Sequence, residues 1–379
     1  MQGAAPRATQ VVRTPCGQCG AQLSYSPGTT ALKCPYCGHS QLISPPSEEV
    51  KELPFDRFIG QYAGLIAESD PAVHCNSCGA EFRLGGTASA GSCPFCGSNV
   101  VVPVKAEEII PPGAVLPFVL DTRRAKDAFA KWIGSRFWAP NDLKKYALAE
   151  GGMRGIYVPY WTYDSQTTTH YTGQRGEYYY VTESYTDSNG NRQTRSVRKT
   201  RWYPAAGTVY VGFDDVQVLA STHLPHQFAQ KLEYQLGSLR SYESQYLSGF
   251  QALRYDVPLD KGFLTAQTLM QPRIDMAIRA DIGGDTQMIT TKDTDYDQVT
   301  FKHVLLPVYA GSYRYRKRSW SFLVNGQTGQ IQGESPISPW KVALAVLLAL
   351  IVVGGIVWLT NDSKGTSSSG SSMQIEFVP

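Results

Sequence analysis

Residues 16–38 read CGQCGAQLSYSPGTTALKCPYCG, and residues 75–97 read CNSCGAEFRLGGTASAGSCPFCG. Each segment has the spacing C-x2-C-x14-C-x2-C, and a constant shift of 59 residues brings the cysteines of one onto those of the other. No cysteine follows residue 96. The two segments are therefore an internal repeat of one small unit. Its eight cysteines are Cys16, Cys19, Cys34, Cys37, Cys75, Cys78, Cys93 and Cys96.

Four cysteines at this spacing predict a zinc ribbon. Two Cys-x-x-Cys turns can place four thiolates tetrahedrally around one Zn²⁺ at about 2.3 Å each, and the residues between them suit a short β-hairpin. Glycine follows the second cysteine of every pair, where it lets amide groups turn toward the sulfurs. A redox dithiol and an iron–sulfur centre are the competing interpretations; a redox pair usually opens a helix after a strand, and neither segment predicts one. Because four thiolates leave no open coordination position, we expect two structural Zn²⁺ ions and no catalytic metal.

A long apolar stretch lies near the other end of the chain. Residues 342–359 read VALAVLLALIVVGGIVWL, without a charge. At about 1.5 Å per residue such a helix spans roughly 27 Å, close to the thickness of a bilayer core. Trp340 and Trp358 lie near its two ends, where interfacial tryptophan is common. We expect a transmembrane helix at residues 341–360 and a polar tail at residues 361–379, with a buried core helix as the alternative.

The charges around this helix predict its orientation. Lys341 and the basic residues of 314–318 precede it, whereas Lys364 is the only basic residue after it, and positively charged flanks tend to stay on the cytoplasmic side. The first residues, MQGAAPR, contain no apolar segment typical of a secretory signal. Clustered cysteines also suit a reducing compartment. We therefore expect a single-pass protein of the cell membrane with its N-terminal bulk in the cytoplasm.

The fold class expected is α+β. Its parts are a first ribbon at residues 10–44, a linker at 45–72, a second ribbon at 73–102, a Pro-rich linker at 103–117 and an α+β domain with antiparallel sheet at 118–338, before the helix and the tail. In that domain we predict a helix capped by Asp121 or Thr122, a second helix starting at Asn141 or Asp142, a strand at 156–163, and a hairpin of residues 177–186 and 192–203. Residues from about 222 to 248 and from 258 to 281 are predicted helical with breaks, Pro272 being a potential break in the second, and strands occupy residues 298–333.

Composition and motifs argue against several function classes. The net charge of +3 is too small to indicate nucleic-acid binding. The ribbons are nearly neutral, because Lys33 is the only charged residue of the first segment and Glu81 and Arg83 cancel in the second. The sequence contains no GxxxxGK[ST] phosphate loop, no GxSxG elbow and no HxxxH pair. We expect no enzyme and no small-molecule substrate, and we regard nucleic acid as the less favoured partner.

Charged groups outside the ribbons are weaker candidates. Basic residues gather at 192–201 and at 314–318, and they either form solvated faces or contact anionic lipid headgroups. Acidic residues gather at Asp214-Asp215 and in the alternating run of residues 293–297, for which an exposed loop or strand start is the simpler interpretation. His223 and His226 flank Pro225 without an obvious carboxylate partner.

Several stretches together resemble a known family. The paired ribbons, YVPYW at 157–161, LPVYAGSYRYRKRSWSFLVNGQTGQIQGESP at 306–336 and the apolar segment resemble the YdjG-like bacterial zinc-ribbon membrane proteins over most of residues 10–360. Members are often labelled transcription factor IIB-type zinc ribbons or relatives of the helicase PriA, but no nucleotide-binding loop exists here to power a helicase. Tyr309 stands where the family pattern has tryptophan. The resemblance implies phage-shock-protein-A-like or flotillin-like (SPFH) partners in an envelope-stress response.

These observations lead to one expectation and one alternative. We expect a non-enzymatic adaptor, anchored in the bilayer by one helix, that uses two zinc ribbons to dock cytosolic proteins at the membrane. The alternative is a membrane-tethered zinc-ribbon protein that binds nucleic acid.

Overall fold

The structure is a computed structural model, and it describes residues 9–10, 14–43, 49–62, 64–65, 72–75, 81–83, 88–93, 98–102, 110–150, 152–186 and 190–365. Helices and strands are numbered separately in chain order. The helices are α1 (Phe55–Tyr62), α2 (Thr122–Gly134), α3 (Leu143–Glu150), α4 (His226–Ala229), α5 (Leu259–Ile282) and α6 (Pro339–Gly365). The strands are β1 (Thr9–Gln10), β2 (Ser24–Tyr25), β3 (Ala31–Lys33), β4 (Ser40–Leu42), β5 (Leu53–Pro54), β6 (Ala72–His74), β7 (Glu81–Arg83), β8 (Ala88–Ser92), β9 (Asn99–Val101), β10 (Ala114–Val115), β11 (Gly152–Thr186), β12 (Arg192–Leu219), β13 (Arg240–Ser241), β14 (Gln251–Leu253), β15 (Thr286–Tyr315), β16 (Arg318–Asn325) and β17 (Ile331–Gly333). The α+β class with antiparallel sheet is confirmed.

Three long antiparallel strands form the spine of the fold. β11 has 35 residues and lies between β12, with 28, and β15, with 30. At about 3.3 Å per residue, β11 runs for about 110 Å. The separate strands predicted at 156–163 and 177–186 are one strand, because the Thr- and Tyr-rich residues between them pair with β12 on one side and β15 on the other. Such long-range pairing is not visible in a local pattern.

The far end of the spine is an arm. Pairing between β11 and β15 stops at Gly176 and Thr286, whereas pairing between β11 and β12 continues to Thr186 and Arg192. The arm, defined here as residues 177–186 and 190–201, is thus a two-stranded extension of the sheet. The predicted hairpin is confirmed, although residues 187–189 of its turn lie outside the described part of the chain.

Helix α5 covers one face of the spine before the arm begins. Its buried residues recur about every four positions, as expected for a helix with one apolar stripe. They are Leu259, Gly262, Ala266, Met270, Ile274, Ile278 and Ile282, and they pack with Tyr163, Tyr171, Val209, Val211 and Phe213 of the sheet. The helix continues through Pro272, because that residue lies on the exposed side, where the lost hydrogen bond and the ring both face solvent.

The near end of the spine is the packed body of the protein. There YVPYW of β11 lies antiparallel to LPVY of β15, with Tyr157 opposite Pro307 and Pro159 opposite Leu305. Helix α2, capped by the Asp121 side chain as predicted, packs there through Phe129, whose ring stacks 3.9 Å from that of Phe322. The prediction of helix over residues 222–248 is wrong.

In residues 222–248 only α4 and two short 3₁₀ turns are helical. Pro225 and Gly237 disfavour a long helix there. Backbone groups of this segment bond instead to the β16–β17 turn, with the N–H of Glu233 donating to Gln330 and the side chain of Asn325 donating to the Glu233 carbonyl. These tertiary hydrogen bonds replace those of a helix.

The expected linker at residues 45–72 contains ordered structure in its described part. Strand β5 pairs with β15, and α1 packs Phe55 and Phe58 against the body, where the Phe58 ring lies 5.4 Å from that of Phe301. Residues 103–109 of the Pro-rich linker lie outside the description, and Ala114 and Val115 of its C-terminal part form β10. The other predicted boundaries stay predictions.

Helix α6 extends away from the body. Its residues Pro339–Ile356 are long and apolar enough to cross a membrane, and none of them is buried. The alternative interpretation of this segment, a helix buried in the protein core, is therefore wrong. The tail after residue 365 lies outside the described residues.

We predict that Gly262→Ala destabilises the protein. A Cβ at this position of α5 would lie 2.5 Å from the Tyr163 hydroxyl and 2.7 Å from Trp161 Cδ1, both buried. Overpacking of this kind costs about 1–3 kcal/mol. Thermal unfolding followed by tryptophan fluorescence should show a lower midpoint. Gly237→Ala is the control, because a Cβ there meets nothing within 4 Å; equal midpoints for the two variants would contradict the close packing of α5.

Candidate metal centre and a buried ion-pair cluster

The first cysteine quartet converges at one end of a three-stranded sheet formed by β2, β3 and β4. Two tight turns carry the cysteines, each closed by a glycine N–H that donates to a cysteine carbonyl: Gly20 to Cys16 at 2.9 Å and Gly38 to Cys34 at 3.1 Å. Both glycines have φ of 75°, a left-handed conformation that glycine adopts without a Cβ clash. The glycines predicted after each pair thus close the turns.

The four sulfurs of this quartet lie within 4.8 Å of one another. Cys16 Sγ is 3.6 Å from Cys37 Sγ, and Cys19 Sγ is 3.5 Å from Cys34 Sγ. A tetrahedral ion with bonds of about 2.3 Å needs sulfurs just under about 4 Å apart. The thiols are free, so this group could hold a metal ion, and its set of four soft ligands suits zinc.

Backbone amides and neighbouring thiols separate the acidities of the four cysteines. The Cys37 and Tyr36 amides lower the pKa of the Cys34 thiol to about 6, and the Cys19 and Gln18 amides lower the pKa of Cys16. The His39 amide lowers the pKa of Cys37, but burial and the adjacent thiols of Cys19 and Cys16 raise it to about 12. Four thiolates this close repel one another without a cation. The donor set therefore fits a divalent ion that would compensate their charge.

The second quartet is described only in part. Cys75 and Cys93 are buried beside Val100 and Val102, and Cys78 and Cys96 lie outside the described residues. The hairpins around the two quartets nevertheless share one register. In the first, Ala31 pairs with Leu42 and Lys33 with Ser40; 59 residues later, Ala90 pairs with Val101 and Ser92 with Asn99.

The same shift reproduces two further backbone contacts. The Cys34 amide donates to the His39 carbonyl at 2.8 Å, and the Cys93 amide donates to the Ser98 carbonyl at 2.8 Å. The Pro15–Gln22 bridge corresponds to the pair of His74 and Glu81. The repeat found in the sequence is thus present in the backbone, and the second metal site stays a prediction.

The first ribbon packs tightly on the body. Its residues Leu23, Tyr25 and Leu32 are buried in one core with Phe118 and Tyr246. The Tyr25 ring lies 5.3 Å from that of Tyr246, and the Tyr25 amide donates to the Ser248 carbonyl. The Ser248 hydroxyl in turn donates to the Leu23 carbonyl at 2.6 Å. A metal ion held by the four cysteines and packing on the body would therefore stabilise the same small unit.

A second cluster surrounds the buried ammonium of Lys302. Its Nζ lies 2.8 Å from Asp215 Oδ1, 3.1 Å from Glu52 Oε1 and 3.5 Å from Asp164 Oδ2. Carboxylate oxygens of Glu52, Asp164 and Asp214 lie within 4.8 Å of one another. Asp164 is skipped in the pairing of β11 with β12, and it pairs with Thr300 of β15 directly before an irregularity in that ladder.

The pKa shifts in this cluster follow from burial and charge. Burial alone would lower the pKa of Lys302, but Asp215 and Glu52 hold it above its usual range. The hydrogen bond from Lys302 lowers the pKa of Glu52, whereas burial raises that of Asp164. The positive charge of Lys302 thus partly compensates the negative charge of the surrounding carboxylates. The sequence singled out Asp214 and Asp215 but not Lys302, Glu52 or Asp164, because the cluster joins segments distant along the chain.

The other sequence candidates have simpler surroundings. Asp293, Asp295 and Asp297 are exposed on β15, and none of them belongs to a metal-like group among the described residues. They lie inside the strand rather than in a loop. His223 does have a carboxylate partner, since its Nδ1 lies 3.0 Å from Asp256 Oδ2. The sequence could not show this pair, because Asp256 follows 33 residues later.

Comparison with known proteins gives one broad similarity. No protein-family profile matches the sequence. The chain is 24% identical over 366 residues to the Bacillus subtilis (strain 168) protein named uncharacterized protein YdjG, and the alignment covers 91% of this chain and 99% of that protein. The similarity therefore covers most of the chain.

We predict that Lys302→Met destabilises the protein, and that a divalent cation reverses part of the loss. Leaving clustered carboxylates without their buried partner costs about 3–5 kcal/mol. Thermal unfolding should show a lower midpoint for the variant. Added Ca²⁺ should raise that midpoint, because the carboxylates of Glu52, Asp164 and Asp214 could then bind the ion. Lys261→Met, at an exposed site of α5, is the control and should change stability by no more than about 0.5 kcal/mol. An unchanged midpoint in Lys302→Met would show that the ion pairs contribute nothing.

Proposed function

We propose that this protein is a non-enzymatic adaptor, anchored in a membrane by α6, that presents a rigid zinc-stabilised body and a long β-arm to cytosolic protein partners. The observation that carries the proposal is the arm. The two-stranded ribbon overhangs the sheet by ten residue pairs, and none of its described side chains is buried. An extended, exposed surface of this kind is suited to binding another macromolecule.

The anchor is supported by the exposure of α6. All the side chains described from Val342 to Ile356 are at least partly exposed, and none is buried against the body. A continuous apolar surface of that length requires a covering, and a bilayer supplies one. The basic residues before the helix, compared with Lys364 alone after it, favour a cytoplasmic body.

The metal is proposed to be structural zinc, one ion in each ribbon. The converging thiols of the first quartet and the identical hairpin register of the second support this. Four thiolates would fill the coordination sphere, so zinc would stabilise folding and activate no water. The ion would thereby hold the ribbon in the form that packs against Tyr246 and Phe118.

The arm carries a surface suited to partner binding. Its two faces alternate along the strands; one face bears Tyr178, Tyr180 and Arg198, and Trp202 continues that face next to the arm. Tyr180 is 70% exposed, and the Arg198 guanidinium lies 4.2 Å from the centre of the Tyr178 ring. Exposed aromatic and arginine side chains are typical of binding hot spots. By resemblance, the partners are phage-shock-protein-A-like or flotillin-like proteins of an envelope-stress response.

The same surface gives the alternative function its best support. Residues 175–203 contain six basic and three acidic side chains, a net charge of +3. Basic residues interleaved with aromatic rings can bind single-stranded nucleic acid by stacking and phosphate contacts. The arm, and not the nearly neutral ribbons, is therefore where a nucleic acid would bind.

We predict about two zinc ions per chain in purified protein by elemental analysis. Cys34→Ser should lose one ion and Cys93→Ser the other, because three thiolates hold zinc far more weakly than four. Tyr36→Ala is the control, since this residue lies in the same turn with its side chain 83% exposed and offers no ligand. One ion in the wild-type protein, unchanged in Cys93→Ser, would remove the second site.

We predict that arm variants lose protein partners. Crosslinking the tagged full chain in membranes, followed by pull-down, should capture proteins that Tyr180→Ser/Arg198→Ser fails to capture, because the exposed ring and the cation are gone. The control is Lys261→Ser/Leu264→Ser on the exposed face of α5, which removes one cation and one apolar side chain that is 62% exposed.

Three outcomes of this pull-down have distinct meanings. Capture that fails in the arm variant and persists in the control supports docking by the arm. Capture that survives both the arm variant and Tyr36→Ser in the ribbon contradicts the adaptor proposal. Capture that disappears after nuclease treatment supports the nucleic-acid alternative instead, and direct binding should then weaken steeply with salt.

A further inference from the structure

A short loop of the body is fastened to the start of the apolar helix. The Ser338 amide donates to the Trp138 carbonyl at 2.7 Å, and Lys341 Nζ donates to the carbonyls of Phe137 and Ala139 at 2.9 and 2.8 Å. These three hydrogen bonds hold residues 137–139 beside the first turn of α6. If α6 enters a membrane, this loop lies at the surface of that membrane, here called the border.

Large aromatic side chains at this border are exposed. Phe137 is 73% exposed, Trp138 is 45% exposed and Trp340 is 76% exposed. The rings of Phe137 and Trp138 lie 5.2 Å apart. Aromatic side chains are enriched where a membrane helix passes through the headgroup region. Exposure of such large aromatic side chains to water is unfavourable. Their position next to the apolar helix α6 explains why they are exposed, if this part of the protein contacts a membrane.

A basic turn reaches the same border. The two-residue turn between β15 and β16 consists of Arg316 and Lys317, with φ of 49° and 67°. Positive φ at both positions defines a type I′ turn, which Asn-Gly fills with least strain. The Tyr315 hydroxyl donates to Asp142 Oδ1 at 2.8 Å, and Asp142 follows Ala139 by three residues. The turn is therefore joined to the loop that holds α6.

The presence of Arg and Lys at the two turn positions is better explained by their positive charge than by their backbone preferences. Arg and Lys occupy a conformation for which they are poorly suited, with Arg314 and Arg318 on either side. The segments 136–142, 314–318 and 338–341 together contain six basic residues and one acidic residue, Asp142. An anionic surface next to α6 would attract this excess of positive charge.

We propose that residues 136–139, 314–318 and 338–341 form one membrane-facing surface, the foot, which binds anionic phospholipid headgroups. Phe137, Trp138 and Trp340 lie in the interface, while the basic side chains contact headgroup phosphates. This inference rests on the proposed anchoring by α6. It separates the two basic groups of the sequence, because residues 192–201 lie at the opposite end of β11 from the foot.

The test uses the full chain reconstituted in nanodiscs of phosphatidylcholine alone or with about one third phosphatidylglycerol. Hydrogen exchange of peptides covering 135–142 and 314–320 should be slower with the anionic lipid, and the difference should disappear in about 0.5 M salt, where charges are screened. Each basic residue near an anionic surface contributes about a fivefold change in binding.

The decisive variant is Arg316→Asn/Lys317→Gly. It removes two charges and supplies the residues that a type I′ turn prefers, so the hairpin stays folded. Its exchange should differ much less between the two kinds of nanodisc than that of the wild-type protein, because two of the six basic residues are gone. Lys231→Gln/Lys261→Gln is the charge-matched control on exposed residues elsewhere, and it should retain the lipid-dependent slowing.

Other outcomes would overturn the proposal in distinguishable ways. Wild-type protein that inserts but exchanges equally in both lipids has no headgroup-binding foot, although the anchor stands. Equal slowing by soluble glycerol phosphate with phosphatidylcholine nanodiscs would indicate a small-anion site rather than a lipid surface. Failure of the chain to insert in any nanodisc would overturn the proposed anchor, and the foot with it.

Discussion

Hydrogen bonding along both edges of β11 is the constraint on which the rest of the structure depends. One edge pairs with β12, the other with β15, and the near end also pairs with β14. A slip of one residue would move every side chain of β11 to the other face. It would remove Tyr171 from α5 and turn Asp164 away from Lys302. The register therefore sets the core, the ion-pair cluster and the length of the arm together.

The ribbon and the body are mutually dependent. The first ribbon has little apolar interior of its own, and its buried residues belong to the same core as Phe118 and Tyr246. A metal ion would fix the cysteine turns, and the body would then fix the hairpin. In the second repeat β8 pairs with β14 and thereby with the central sheet. The first cysteine hairpin and the described strands β8 and β9 of the second repeat are thus joined to the body, and Tyr36 is exposed on the outward side of the first.

The charge distribution follows the length of the spine. One basic group lies in the arm, and the other lies at the opposite end of the spine, where Tyr315 bonds to Asp142 near the loop that holds the start of α6. Because β11 alone runs for about 110 Å at the usual rise per residue, the two groups cannot serve one local contact. A protein held at one end by its helix would present the other end far from that border. This separation suits a role in which membrane and partner are contacted at the same time.

The sequence by itself determined the repeat, the first thiol quartet, the helix caps near Asp121, the hairpin at 177–203 and the apolar helix. Each of these depends on residues close together in the chain, where spacing controls geometry directly. Only the tertiary structure decided that β11 is one continuous strand, that residues 222–248 are mostly irregular and that Lys302 contacts three carboxylates distant along the chain. It also decided that the strand before the Arg-Lys turn is bonded, through Tyr315 and Asp142, to the loop that holds α6. The physical reason is that strand pairing, buried charge and packing against the body depend on partners tens to hundreds of residues away, which a local pattern does not encode.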